Sequence, residues 1–187
     1  DGALLASVAG RLRNQSVPRR SFDGNSLALQ IFEQCRRNSK QVVLVGGVEG
    51  VARNAAMIIR SSLDYSDIKG ICGYFESSQA RARCIAQISQ LDDAVVICGM
   101  GSPSQEQFLI DLRRGNFRGT AFTCGGYMDQ ICQRGLRYYP DIVNRLNLRA
   151  PYRLVNEPMR LIPRYTIGYA PFYAEALRVL TNIGRRQ

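Results

Sequence analysis

The amino-acid sequence predicts an α/β protein: a mainly parallel, Rossmann-like sheet flanked by helices, followed by a C-terminal arginine-rich helical appendage. Three observations carry this. Apolar runs of strand length recur four times, each leading into glycine. Segments of helical periodicity fill the intervals between them, and past Gly135 the pattern gives way to aromatic residues, arginine and proline. Strands that alternate with helices of this length are the mark of βαβ units and a parallel sheet.

In chain order, Gly2–Arg13 and Asn25–Arg37 read as helices. The four strand-length runs are Val42–Val45, Ile68–Cys72, Ala94–Cys98 and Thr120–Cys124. Between them Gly50–Leu63, Ser77–Leu91 and Ser102–Arg114 carry the helical period. After Gly135, prolines at 140, 151, 158, 163 and 171 divide the chain into short helical pieces. Arg145, Arg149 and Arg153 stand four apart, so on a helix they share one side. Pro171–Ile183 reads as a final helix with Phe172, Leu177 and Leu180 on its apolar face. The expected division is a core over residues 1–134 and a basic helical appendage over 135–187.

Composition narrows the chemistry. With 187 residues and 45% apolar content the chain can bury a sizeable core. No window approaches eighteen uninterrupted apolar residues and the N-terminus lacks the order of a signal peptide, so the expected location is cytoplasmic. The chain begins at Asp1 rather than Met, which reads as a trimmed or truncated product. Six cysteines occur singly in apolar segments without a Cys-x-x-Cys pair, which argues for core thiols in a reducing compartment. Histidine is absent altogether, and with it Ser-His-Asp or Cys-His machinery and His-ligated zinc. A general base is therefore sought among carboxylates. The net charge of +10 is uneven: residues 134–187 hold ten arginines and three acids, and arginine makes forked hydrogen bonds to phosphate. The expected partner is anionic: a diphosphate, a nucleic acid or an acidic lipid surface.

Three glycine turns follow the strands. In Cys98–Phe108, Ser102 can cap the next helix with Pro103 at its first position and Gln105 completing a capping box. That local reading does not need both Gly99 and Gly101, and a second glycine lets the backbone approach a ligand at the helix N-terminus. Gly46-Gly47 lacks the G-x-G-x-x-G order of dinucleotide sites, and no G-x-x-x-x-G-K-[ST] is present. Gly125-Gly126 precedes Asp129, a carboxylate that can bind a ligand or only complement the helix dipole. Ligands of parallel sheets bind beyond the carboxyl ends of the strands, where all three turns fall.

The order and spacing of these motifs resemble the WecG/TagA/CpsF family of bacterial glycosyltransferases, which transfer N-acetylmannosamine-type sugars in the synthesis of surface polysaccharides and teichoic acids. Asp1-Gly2 is similar to the family's Asp-Gly, Gly46-Gly47 to its strand-end glycines, and Gly73-Tyr74-Phe75 to its "GYF". Gly101-Ser102-Pro103-Ser104-Gln105-Glu106 resembles its "GSPKQE", and Gly125-Gly126-Tyr127-Met128-Asp129 its "GGxxD". In the tail, Pro140, Leu148, Tyr152, Arg153-Leu154, Glu157-Pro158, Arg160-Leu161 and Arg164-Tyr165 keep the family's spacing without a gap. Leu148-Arg149-Ala150 stands where the family has Leu-Glu-Trp, Tyr138-Tyr139-Pro140 where it has Arg-Ala-Pro, and Arg20 to Asn25 match "RVTG-D" only loosely. The family's region before Asp-Gly has no counterpart in this sequence.

The resemblance implies an inverting, metal-independent transferase that moves a sugar from a UDP-sugar to a lipid-diphosphate-linked acceptor, working as a peripheral protein on the inner face of the cytoplasmic membrane. It implies no cofactor beyond the UDP-sugar and no metal ligand, and assigns Asp1 as the base. Arg20, Gly46, Gly47, Tyr74, Gly99, Gly101, Ser102, Gln105, Gly125, Gly126 and Asp129 become substrate-binding candidates, with Arg153, Arg160 and Arg164 neutralising the departing diphosphate. Two other classes stay open at this point: a nucleic-acid-binding module using the arginine-rich tail, and a non-catalytic member of the fold. Self-association is left open as well.

Overall fold

The structure is a computed structural model that describes residues 3–18, 21–137, 142, 143, 146, 148–156 and 158–184. The expected α/β class is what the chain forms. In order, the elements are α1 (Ala3–Arg13), α2 (Leu27–Arg37), β1 (Val42–Gly46), α3 (Val51–Leu63), β2 (Ile68–Ile71), α4 (Ser78–Ser89), β3 (Val95–Gly99), α5 (Ser104–Arg114), β4 (Thr120–Thr123) and α6 (Tyr127–Arg134). Helices α7 (Arg149–Asn156) and α8 (Pro158–Pro163), a π-helical turn Arg164–Gly168 and α9 (Ala170–Gly184) follow. The four strands form one all-parallel sheet in the order β2-β1-β3-β4.

The sheet is two-faced because strand side chains alternate. From β1 and β3, Val42, Leu44, Val95 and Ile97 point to one side, where they meet Ala28, Phe32 and Cys35 of α2, Ala52, Ala55, Ala56 and Ile59 of α3, and Tyr127, Met128 and Ile131 of α6. Val43, Val45, Val96 and Cys98 point to the other and pack on Cys84, Ile85 and Ile88 of α4 and Phe108 and Leu112 of α5. Both central strands are buried along their whole length, which explains their unbroken apolar runs. The outer strands are half-exposed, and polar Lys69, Thr120 and Thr123 fall there.

Small residues set how closely the layers approach. A methyl at Gly70 of β2 would run into the Ala52 carbonyl of α3. A methyl at Gly24 would strike the Leu136 carbonyl, which also accepts the Tyr127 hydroxyl at 3.1 Å. On the opposite face, Arg81 of α4 lies over the Phe108 ring at 5.4 Å and pairs with Asp111 at 2.8 Å. Gln107 donates to the same carboxylate at 2.9 Å. These donors, the Arg81 hydrogen bond first, hold the Asp111 carboxyl below its usual range.

The chain groups into two compact units, 22–138 and 1–21 with 139–187. The first holds the sheet. In the second, α1 belongs with the tail rather than with the sheet, unlike the division at residue 134 expected from the sequence. There α1 packs on α9, and α7, α8 and the π-helical turn follow one another in contact. Pro158 opens α8 and Pro171 stands in the first turn of α9, positions where a missing N–H costs nothing. Val8, Leu161 and Ala176 are buried, whereas Val155, Met159, Ile162, Ile167 and Leu177 are exposed. Of the arginines on these helices, Arg178 is exposed and pairs with Glu175 at 3.7 Å; the side chains of Arg149, Arg153, Arg160 and Arg164 lie outside the described residues, and so does Arg145.

Two stability tests follow from the packing. Gly70→Ala should cost at least about 2 kcal/mol in urea unfolding, because helix backbone cannot yield as a side chain would. Asp111→Asn should cost about 1 kcal/mol at pH 7, the value of a well-placed, partly buried ion pair. Since the native carboxyl has the depressed pKa, its stabilisation is full above the unfolded value and disappears as pH falls through the native one. The difference between wild type and Asp111→Asn should therefore close from about pH 4 downward.

Candidate functional site

All four strands run the same way, so every turn that follows one opens at the same edge of the sheet. That edge carries Gly46 and Gly47 after β1, Cys72–Tyr74 after β2, Gly99–Pro103 after β3 and Cys124–Gly126 after β4. Backbone hydrogen bonds tie them side by side. Gly47 N–H donates to Gly99 O at 3.1 Å, Gly73 N–H to Gly47 O at 3.2 Å and Cys124 N–H to Cys98 O at 2.8 Å. The chain crosses from β1 to β2 on one side, then returns from β2 past β1 to β3 on the other. The break between β1 and β3 is the position where parallel sheets take ligands.

The glycines divide by their surroundings. Gly46 and Gly99 are buried, and a methyl on Gly46 would run into the Gly99 backbone. One on Gly99 would sit 2.7 Å from Gly125 O and 2.8 Å from the Cys124 sulfur. These two serve the close approach of strand ends. Gly101 and Gly125 differ: both are left-handed, with φ of 73° and 56°, and nothing lies within 4 Å of where a methyl would stand. Their bare backbone faces open space at the mouth of the crevice. Gly47 is left-handed too, packed on Val51. Gly126 caps α6, and Asp129 lies half-buried in the first turn of that helix.

The turn after β3 departs from the expected capping box. Helix α5 begins at Ser104 with Pro103 as its cap residue, and no side chain caps it. The left-handed Gly101 is the reason, since its carbonyl already accepts Gln105 N–H at 2.9 Å and winds the first turn ahead of Ser102. Ser102 is exposed and helps instead to lower the pKa of the Glu106 carboxylate. Gln105, only 8% exposed, heads the stripe Gln105, Phe108 and Leu112 that α5 turns to the sheet. Its Oε1 accepts Gly125 N–H at 3.2 Å and its Nε2 donates to Glu106 Oε1 at 2.8 Å. Burial pushes the Glu106 carboxyl up, but hydrogen bonds from Gln105, its own backbone and Ser102 outweigh this and leave its pKa lowered.

Glu106 is the site residue that sequence reasoning passed over. Its signal was its place in the Gly101–Glu106 motif, one residue from Gln105 and four from Ser102. Tyr74 stands 71% exposed beside the mouth, while its neighbour Phe75 stacks on Phe108 at 6.0 Å and anchors the turn. Beneath the edge, burial pushes the Cys98 thiol up to about 12 and raises Cys124 as well. The structure thus gathers Gly46, Gly47, Tyr74, Gly99, Gly101, Ser102, Gln105, Gly125, Gly126 and Asp129 around one edge. Asp1 and Arg20 lie outside the described residues, as do the side chains of Arg153, Arg160 and Arg164. Among the described residues no three His, Cys, Asp or Glu side chains cluster as metal ligands would.

An all-parallel sheet with helices on both faces and open glycine turns at its carboxyl edge defines a Rossmann-like protein. The chain belongs to the glycosyl transferase WecG/TagA/CpsF family, whose sequence model matches residues 1–186. It is 31% identical over 156 residues to the UDP-Gal:alpha-D-GlcNAc-diphosphoundecaprenol beta-1,4-galactosyltransferase of Shigella boydii, covering 83% of this chain and 65% of that one. It is 26% identical over 166 residues to the N-acetylglucosaminyldiphosphoundecaprenol N-acetyl-beta-D-mannosaminyltransferase of Bacillus subtilis (strain 168), covering 86% and 63% respectively. The chain therefore spans just under two thirds of the length of these relatives.

The two kinds of glycine should separate on substitution. Gly99→Ala should destabilise the fold severely, because the Gly125 carbonyl and the Cys124 sulfur must both move. Gly101→Ala should cost only the about 1–2 kcal/mol of a left-handed alanine. Urea unfolding of the two variants measures the contrast, and equal losses would show that Gly101 is a packing glycine.

Proposed function

We propose that this chain is the nucleotide-binding part of an inverting, metal-independent glycosyltransferase that moves a hexose from a UDP-sugar to a lipid-diphosphate-linked N-acetylglucosamine. The observation that carries the reading is the meeting of the open Gly101 and Gly125 turns, bridged by Gln105, at the carboxyl edge of a parallel sheet beside its switch point, in a member of this family. Both relatives act, by their names, on an N-acetylglucosamine joined to a diphosphate lipid, and they differ in the sugar transferred. The acceptor is accordingly taken to be that lipid and the donor a UDP-hexose, with galactose and N-acetylmannosamine as the two sugars to try.

The chemistry is a single displacement. The acceptor hydroxyl oxygen attacks the anomeric carbon, the bond from that carbon to the diphosphate oxygen breaks, and UDP leaves with the electron pair. The hydroxyl proton passes to a carboxylate base, assigned to Asp1. Negative charge growing on the diphosphate calls for cations, assigned to Arg153, Arg160 and Arg164, with Arg20 at the donor. The glycine turns admit the nucleotide close to the backbone, while Ser102, Gln105, Asp129 and Tyr74 hold its sugar and base. Exposed Val155, Met159, Ile162, Ile167 and Leu177, with an arginine-rich tail sequence, suit peripheral attachment to an anionic membrane surface, and among the described residues no helix is long and apolar enough to cross one.

The test is transfer from UDP-galactose and UDP-N-acetylmannosamine to a synthetic N-acetylglucosaminyl-diphosphate lipid by the full chain. Product with inverted anomeric configuration, formed also in the presence of EDTA, is expected. Asp1→Asn should lower turnover at least about 100-fold, the scale of general-base catalysis, and Arg153, Arg160 and Arg164 to alanine at least about tenfold each. Absence of transfer together with no thermal stabilisation by UDP would overturn the reading. Stabilisation by an oligonucleotide instead would point to the nucleic-acid class.

A further inference from the structure

Glu106 has no part in the reaction outlined above, yet it ends a chain of hydrogen bonds that joins the turn after β3 to the turn after β4. Its carboxylate takes a hydrogen from Gln105 Nε2 at 2.8 Å, and Gln105 Oε1 takes one from Gly125 N–H at 3.2 Å. An amide side chain can rotate to exchange its oxygen and nitrogen, and only its neighbours decide which way it stands. Here both neighbours decide alike. A carboxylate can only accept and a backbone N–H can only donate, so one orientation satisfies both and the other opposes like groups at both ends. Glu106 is exposed, and the hydrogen bonds from Gln105 and from its own backbone favour its ionised, acceptor-only form.

We propose that Glu106 is a positioning residue: it locks the Gln105 amide so that the turn after β3 and the turn after β4 stand at one fixed separation, with the second Nε2 hydrogen of Gln105 left to address the substrate. The proposal rests on the transferase reading for its catalytic part alone. Its geometric part concerns only Glu106, Gln105 and Gly125. Three features make the lock consequential. Gln105 is buried at its post, so it cannot swing to another partner in water. Gly125 is left-handed with open space at its α-carbon, so no side-chain packing of its own fixes its position. The bridge spans twenty residues of sequence and joins the two turns whose glycines, Gly101 and Gly125, face open space.

Glu106→Gln is the informative change, for it keeps size and removes the charge that dictates orientation. The new amide can present either end, so Gln105 is free to turn over and Gly125 N–H loses a dedicated acceptor. Glu106→Asp keeps the charge and should rescue in part. In ¹⁵N-resolved NMR of the full chain, the Gly125 amide proton of Glu106→Gln should move upfield and exchange at least tenfold faster than in wild type, with an unchanged melting temperature. Transfer assays with UDP-galactose or UDP-N-acetylmannosamine should show kcat reduced tenfold or more with KM for the donor changed less than threefold, and Glu106→Asp recovering a third or more of the rate. An unaltered Gly125 amide in Glu106→Gln overturns the lock whatever the activity. Equal kcat in wild type and Glu106→Gln overturns its catalytic consequence, whereas failure of wild type to transfer any sugar strikes the transferase reading and leaves the amide measurement to judge the lock.

Discussion

At the carboxyl ends of β1 and β3 two backbones approach so closely that Gly46 has no room for a side chain, and Gly99 has none because the turn after β4 closes on it from the other side. This contact sits at the centre of the sheet, where the strands pair in register from Val42 with Val95 to Gly46 with Gly99. Everything nearer the surface is built out from it. Because the strand ends are bare, Gly47 can hydrogen-bond to Gly99 and Gly73 to Gly47, which draws the turns after β1, β2 and β3 into one rim. Packing on either face then secures the pair: α2, α3 and α6 on one side, α4 and α5 on the other. Helix layers of this kind need no specific chemistry, only alternation of apolar side chains, and so leave the rim free to vary.

The fold was legible because its signals are local. Buried parallel strands demand continuous apolar runs, and Val42–Val45 and Ala94–Cys98 have nothing else. Helix ends were read within one or two residues, as at Ser77, whose hydroxyl accepts Ala80 N–H at 3.1 Å. The turn at Ser102 was misread for a reason of the same kind. A serine, a proline and a glutamine at capping spacing make a plausible local motif, but the left-handed Gly101 had already started the helix, and Gln105 found a partner twenty residues away. No window of sequence contains that partner. The grouping of α1 with the tail is equally non-local, since it depends on packing between the two ends of the chain.

The candidate site was legible in outline for a different reason. Glycine has few uses at a strand end, and chain order sufficed to bring Gly46, Gly99, Gly101, Gly125 and Gly126 to one edge once the sheet was known to be parallel. Which glycine serves the fold and which serves the opening was not legible, because that depends on the atoms opposite each one. Glu106 was hidden by its type: an acid in the first turn of a helix is commonplace, and only the Gln105 amide gives it a specific task.

The thiols of Cys98 and Cys124 stay protonated at neutral pH, since burial disfavours their thiolates. The floor beneath the rim is therefore electrically silent: greasy, uncharged and slow to react with oxidants. In such surroundings a field is weakly damped, so a charge held above it is felt at longer range than over open water. An anion settling at this rim would be sensed chiefly through the groups around its edge, and one carboxylate more or less among them would weigh heavily on where it comes to rest.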